Sequence, residues 1–400
     1  MFMHARMIGG LAAAAALTAG AFGPAGSARA AGPPPRTAAA ATRYADVRQI
    51  LQRLTTSDGA PGAVAEVSDG HGRTALTSGV ADIATGAPPA GDSRFRIGSM
   101  TKMFAATVVL QLVSEHRIAL DAPVERYLPG LIRGNGNDGR DITVRELLQH
   151  TSGLPDYVNY LNLQDVLAHP LTHYDPRELL GIALDHPRLF TPGTSWSYSN
   201  TDYIVAGMLV EKVTGRPYGE EISRRIIRPL GLHDTSVPGD EPDIPGIHPH
   251  GYARAGGSGL TDVTRFNPSV AGASGAMISS GADMDRFLRS LLSGRLLPPA
   301  ELRAMMTTRP TGESSGGAYG LGLQSTPLPC GGLYWGHDGD LFGFETISGA
   351  TADGRQVTVM ANLDPDGTDA QNTDMQTAVT TALRESHPAW PGRDERSVRN

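Results

Sequence analysis

Ser99 and Lys102 stand three residues apart in Arg96-Ile97-Gly98-Ser99-Met100-Thr101-Lys102-Met103-Phe104, at the head of an apolar stretch with helical patterning. On a helix that spacing puts both side chains on one face, one turn apart, so the amine reaches the hydroxyl. A serine hydroxyl becomes a strong nucleophile when a neighbouring base takes its proton. A lysine is such a base only when its pKa is drawn down from about 10.4 to roughly 7 or 8, a bias of roughly 4 kcal/mol. Burial supplies a shift of that size, so Lys102 is expected to be buried. The chain has two lysines, Lys102 and Lys212, among 34 basic residues, which leaves 32 arginines. A guanidinium does not deprotonate in a protein, so an amine at 102 in an arginine-rich chain points to proton chemistry. For the tetrad alone, a helix start with an exposed lysine is the ordinary alternative.

Two further stretches carry suitable side chains. Trp196-Ser197-Tyr198-Ser199-Asn200 lies in a Pro/Gly-bounded loop before a helix, where Tyr198 and Asn200 can face one cleft. A phenol beside a lysine relays protons, and an amide orients the lysine and holds a substrate carbonyl. An aromatic core plug with a capping Asn is the alternative there. Tyr334-Trp335-Gly336-His337-Asp338-Gly339-Asp340 places glycines on both sides of His337 at the end of a strand. Such glycines let a substrate approach the strand edge, and an exposed amide there can donate to an oxyanion. Alone, His337 reads equally well as a turn residue.

These groups must be positioned by a chain of 400 residues with 40% hydrophobic and 19% charged content, long enough for two compact lobes. An amphipathic helix is expected over Ala41–Thr56, and a hairpin over Gly62–Val67 and Arg73–Val80 through Asp69-Gly70-His71-Gly72. The middle reads as helical, over Phe104–His116, Val144–Gln149, Pro176–Leu184, Asp202–Thr214, Tyr218–Ile227 and Ser280–Leu292. Strands return at Tyr319–Leu323, Leu333–His337, Phe344–Ile347 and Val357–Asn362, with a turn at Asp353-Gly354 and a closing helix over Ala370–Glu385. The fold class is therefore α+β: both ends of the chain complete one antiparallel sheet flanked by helices, and the middle forms an all-helical lobe. The sheet lobe spans about 44–98 and 300–386, the helical lobe about 99–299, and the site falls between them.

Residues 1–30 read as a secretory signal peptide. Arg6 precedes an apolar run from Met7 to Ala21, and Ala28-Arg29-Ala30 suits cleavage; the run is shorter than the roughly 20 residues a membrane span needs. Residues 31–43, with Pro33-Pro34-Pro35, form a flexible lead-in, and 387–400 a polar tail. The single cysteine, Cys330, excludes an intramolecular disulfide. A net charge of -7 without a basic run argues against nucleic acid and anionic membranes. A secreted monomer without a membrane anchor is expected.

Taken together, Ser99-x-x-Lys102, Tyr198-x-Asn200 and His337-x-Gly339 resemble, in order and separation, the serine β-lactamase and penicillin-binding-protein superfamily. The likeness is to the branch with class C β-lactamases and secreted actinomycete D-alanyl-D-alanine carboxypeptidases. It extends to Leu147–Leu154, Ser197–Leu209, Ser274–Ser280 and Tyr319–Leu323, and covers most of residues 45–385. The resemblance implies a β-lactamase/transpeptidase-like fold and an acyl-enzyme on Ser99. It also implies proton transfer by Lys102 and Tyr198, with either as the base, positioning by Asn200, and an oxyanion hole from the N–H groups of Ser99 and Asp340. No metal or cofactor is implied, and His248-Pro249-His250 lacks a third ligand.

The third motif departs from the family. A hydroxyl residue that helps hold a substrate carboxylate is replaced by Asp338, with Asp340 beyond, and two acids would repel a carboxylate by of the order of 1 kcal/mol or more each. Three activities follow: a penicillin-binding carboxypeptidase acting on peptidoglycan stem peptides or β-lactams, an esterase or D-aminopeptidase of the same fold, and a silent wall-peptide binder. The substrate contacts expected are Asn200, His337, Asp338, Gly339 and Asp340.

Overall fold

Val47, Ile50, Leu51 and Leu54 recur at helical spacing and are all buried on one side of helix α1, Ala45–Thr56. The strand that follows, β1 (Gly62–Asp69), alternates instead. Ala63, Ala65 and Val67 pack toward α1, while Val64 turns to the opposite face. β1 pairs antiparallel with β2 (Gly72–Gly79). The computed structural model describes residues 44–69, 72–254, 259–312, 316–364 and 367–385. The expected signal peptide, lead-in and polar tail, and residues 70 and 71 of the hairpin turn, lie outside them.

The nucleophile-bearing segment enters helix α2 (Thr101–Ser114), and the Tyr198 loop enters α3 (Asn200–Thr214). α4 (Gly281–Leu292) is followed by β3 (Gln324–Pro327), β4 (Leu333–Leu341), β5 (Phe344–Thr351), β6 (Gln356–Ala361) and closing helix α5 (Asp369–Glu385). Among the described residues the main sheet runs β2–β1–β6–β5–β4–β3, then the two-residue strands Ala318–Tyr319 and Arg309–Pro310, all antiparallel. The two ends of the chain meet where Ala63 opposes Ala361 and Val67 opposes Val357. α1 and α5 cover one face, with Val357, Val359, Met375, Val379 and Leu383 between them. On the other face, Met284, Phe287, Leu288 and Leu291 of α4 join the core that holds α2 and α3.

Three expectations change. α4, expected within the helical lobe, lies on the sheet: Arg289 reaches Ser68 of β1 and Gln356 of β6 at 3.1 and 3.2 Å. Its apolar stripe needs a wide flat partner, and the sheet is one. Tyr319–Leu323 is not a continuous strand. Pairing stops at Tyr319, a turn closes through Gly320 N–H to the Leu323 carbonyl (2.8 Å), and the next strand starts at Gln324. Gly322 has φ 76, and a side chain there would press on Ala106 and the Tyr203 hydroxyl, so this glycine marks a turn packed against α2. The middle is not purely helical either. Two-residue ladders join Arg133–Gly134 to Asn137–Asp138 and Tyr252–Ala253 to Thr261–Asp262.

Candidate active site

Gly98–Met100 forms a single 3-10 turn that leads directly into α2. Gly98 takes φ 49, and a Cβ there would sit 2.7 Å from the backbone nitrogen of Asp340. A Cβ on Gly339 would collide with the Ile97 carbonyl. The end of β4 thus lies backbone-to-backbone against the turn that carries Ser99, an approach open only to glycine. This brings the main chain of Ser99 and Asp340 together, as an oxyanion hole requires.

Lys102 is fully buried. Its ammonium donates to Ser99 Oγ at 2.9 Å, to Asn200 Oδ1 at 2.8 Å and to the Ser274 carbonyl at 2.8 Å. Burial lowers its pKa to about 7, against the opposing pull of Asp156 and then Asp338. The Tyr198 phenol stands beside Ser99, and its ring centroid lies 4.8 Å from Lys102 Nζ. Burial, then Asp338, raises the phenol well above its ordinary pKa. Of the two candidate bases, the lysine amine is the one deprotonated near neutrality.

Asn200, the first residue of α3, donates its amide to Asp156 Oδ2 at 2.9 Å. Asp156 caps the short turn Tyr157–Tyr160, and burial raises its pKa. The lysine is thereby held through a chain of two hydrogen bonds to a buried acid. Sequence reasoning passed over Asp156, and it assigned no role to the Ser274 carbonyl, His150 or Asp202. The signal available was that His150 and Ser274 lie inside the stretches that carry the family resemblance.

His337 is buried, with Nε2 2.9 Å from the Tyr319 hydroxyl and Nδ1 2.6 Å from the Asp338 carbonyl. It braces the cleft wall rather than standing free for substrate. Asp338 does face the cleft, and Gln324 donates to its Oδ1 at 2.7 Å. Burial alone would raise Asp338, but His337 and the Gln324 amide hold it below the ordinary carboxylate range. Desolvation, then repulsion from Asp364, Asp338 and Glu345, raises Asp340 well above it.

Ser99, Tyr198, Asn200, Asp338 and Asp340 all line one cleft of about 800 Å³. Asp364 lines it as well, and an adjoining recess of about 380 Å³ shares Asp338, Asp340 and Asp364 and adds Glu345. Among the described residues, no Lys or Arg lines either one. The apolar part of the lining includes Val158, Leu161, Leu163, Val270 and Phe342. Among the described residues no cluster of His, Cys, Asp or Glu could hold a metal ion.

A two-lobed α+β fold with a buried lysine on a helix-start serine and a tyrosine across the cleft defines a serine hydrolase of the β-lactamase and penicillin-binding-protein type. The chain belongs to this family: the model described as Beta-lactamase matches residues 47–382. It is 32% identical to esterase EstB of Burkholderia gladioli over 318 residues, 69% of this chain and 80% of that one. Among solved structures, a D-stereospecific amidohydrolase from a Streptomyces species is 43% identical with a TM-score of 0.77, over 83% of this chain and 97% of that one. The D-amino acid amidase from Ochrobactrum anthropi SV3 in complex with L-phenylalanine amide is 30% identical with a TM-score of 0.75, over 85% and 97%.

Proposed function

We propose that the protein hydrolyses amides, esters or short peptides of D-amino acids that carry a free ammonium group beside the scissile carbonyl. The observation that carries this reading is the charge of the cleft: Asp338, held below the ordinary carboxylate range, shares the cleft with Ser99, the acids Asp340, Glu345 and Asp364 extend the same wall, and no Lys or Arg among the described residues lines it. Carboxylates in a partly desolvated cleft attract an ammonium and repel a carboxylate. The same charge weighs against the carboxypeptidase reading, whose substrate ends in a carboxylate. The D-configuration is supported by the likeness to the Streptomyces amidohydrolase and the Ochrobactrum amidase.

In this proposal neutral Lys102 takes the Ser99 proton as Oγ attacks the carbonyl carbon. The oxyanion is held by the N–H groups of Ser99 and Asp340. Tyr198 gives its proton to the departing nitrogen or oxygen and regains one from the Lys102 ammonium, which leaves the lysine neutral again with the acyl group on Ser99. Water, activated by the same lysine, then releases the acid. Export through residues 1–30 belongs to the proposal, and sequencing the N-terminus of protein recovered from culture medium tests it.

The decisive assay compares D-phenylalanine amide with its N-acetyl derivative, its L-enantiomer and an N-acylated D-alanyl-D-alanine peptide. The free-ammonium D-amide is expected to lead by about 100-fold in kcat/KM, about 2.7 kcal/mol. A preference for the N-acylated, carboxylate-ended peptide would replace this reading with the carboxypeptidase.

A further inference from the structure

His150 is a non-glycine residue in the left-handed region, at φ 58, a conformation that costs of order 1 kcal/mol and persists where the surroundings hold it. Its imidazole is completely buried among the rings of Tyr198, Tyr319, Tyr203 and Trp196, at centroid distances of 4.4, 4.6, 5.4 and 6.3 Å. Residues 150–152 grip residues 197–202 at three places. The Ser197 N–H donates to the His150 carbonyl at 3.0 Å, the Ser199 N–H points to His150 Nδ1 at 3.4 Å, and the Ser152 hydroxyl donates to Asp202 Oδ1 at 2.5 Å. Between these points stand Tyr198 and Asn200, which reach Ser99 and Lys102.

A fourth contact, Asp202 Oδ2 to His150 Nδ1 at 2.9 Å, requires a proton on one partner. Nδ1 already faces the Ser199 N–H, so it is an acceptor, and the shared hydrogen belongs to the carboxyl. The ring proton then sits on Nε2, which has no hydrogen-bond partner among the described residues. An N–H sits better among aromatic faces than a lone pair does. Besides His150, the Asp202 side chain has one donor among the described residues, the Ser152 hydroxyl, too few to hold a fully buried carboxylate.

We infer that His150 and Asp202 form an uncharged positioning pair, with the proton on the Asp202 carboxyl, that fixes Tyr198 and Asn200 against Ser99 and Lys102. The ionisable groups around the pair are Lys102 of α2, Asp156 of the neighbouring turn, Tyr203 of α3, Tyr198 of the loop, and Tyr319 and His337 of the sheet. Burial, reinforced by Lys102 and His337, keeps the imidazole neutral, and burial raises the carboxyl well above its ordinary pKa.

The inference rests on Ser99-dependent hydrolysis and not on the choice of substrate, so a neutral activated ester serves as the probe. Asp202→Asn keeps both bonds, since its amide donates to Nδ1 and its oxygen accepts from Ser152. It is expected to retain kcat within about threefold and to leave the acid limb of the pH profile in place, whereas Asp202→Ala loses about 30-fold or more in kcat with KM within about twofold. Loss in Asp202→Asn as deep as in Asp202→Ala overturns the inference. So does an acid limb displaced to lower pH, which marks removal of a negative charge near Lys102. If either variant fails to fold by circular dichroism, the 15N spectrum of histidine-labelled wild type decides: an unprotonated Nδ1 on His150 supports the pair as drawn, and a protonated one overturns it. Should the wild type cleave no ester, that spectrum still answers for the pair, and the hydrolase reading alone falls.

Discussion

Lys102 Nζ lies 2.9 Å from Ser99 Oγ in a pocket that withdraws the whole lysine side chain from water. With its pKa lowered to about 7, the amine is half neutral at that pH and can accept the serine proton. With a neutral ester as substrate, kcat/KM is expected to rise as pH increases through about 7. A profile flat from about pH 5 to 9 would remove Lys102 as the base.

The same burial has a stability consequence. The folded protein disfavours the charged amine, so the contribution of Lys102 to stability is complete above the unfolded pKa of 10.5 and is lost as pH falls toward 7. The loss is roughly 4 kcal/mol at neutral pH before the three hydrogen bonds are counted. Lys102→Met is therefore expected to be inactive yet to melt higher than wild type at pH 7, by about 2 °C or more in calorimetry. A lower melting temperature would show that the hydrogen bonds outweigh desolvation. Lys102→Arg, always charged, is expected to abolish acylation as read by intact mass after incubation with a penicillin or an activated ester.

Asp156 acts on the lysine through Asn200 and through its own charge. Asp156→Asn removes a negative charge that raises the pKa of Lys102, so the acid limb of the pH profile is expected to move to lower pH. Asp156→Ala also frees the Asn200 amide, and a fall in kcat of about tenfold or more is expected. An unmoved limb in Asp156→Asn would mean that the carboxyl is already protonated.

Asp338→Thr replaces a cleft carboxylate with a hydroxyl. Activity on free-ammonium amides is expected to fall by about tenfold, and activity on carboxylate-ended D-alanyl-D-alanine peptides to rise. A parallel loss on both substrates would assign Asp338 to the integrity of the strand, through Gln324 and His337, rather than to charge selection.

Far from the cleft, Asp285 of α4 is buried with neither carboxylate oxygen paired among the described residues, and desolvation followed by Glu66 raises it well above its ordinary pKa. Its stability contribution is complete below the unfolded pKa of 3.8 and is lost as pH rises toward the higher folded value. Asp285→Asn is expected to raise the melting temperature at pH 7, by the equivalent of about 1 kcal/mol or more, and to change nothing at pH 3. Equal melting temperatures at both pH values would show that the acid carries no penalty.

Local pattern made much of this legible. The i, i+3 spacing of Ser99 and Lys102, the near absence of other lysines and the order of the three motifs are properties of the chain itself, and so are the helix over Pro176–Leu184 and the strand that begins at Gly62. Gly320 and Gly322 misled because glycine suits both a strand near a substrate and a tight turn; only the packing of α2 and Tyr203 against Gly322 selects the turn. α4 shows an apolar stripe from sequence, but the stripe does not say whether a helix or a sheet will cover it.

By itself, then, the sequence determined which groups can react and which of them share a helix face, because those follow from residue type and short spacing. Tertiary structure alone decided that Asp156 holds Asn200 across 44 residues, that His150 meets Asp202 across 52, and that Asp338, Asp340, Glu345 and Asp364 gather in one cleft. The physical reason lies in range. A pKa of about 7 on Lys102 is set by excluded water and by carboxylates brought from remote parts of the chain, and no local pattern encodes which of them arrive.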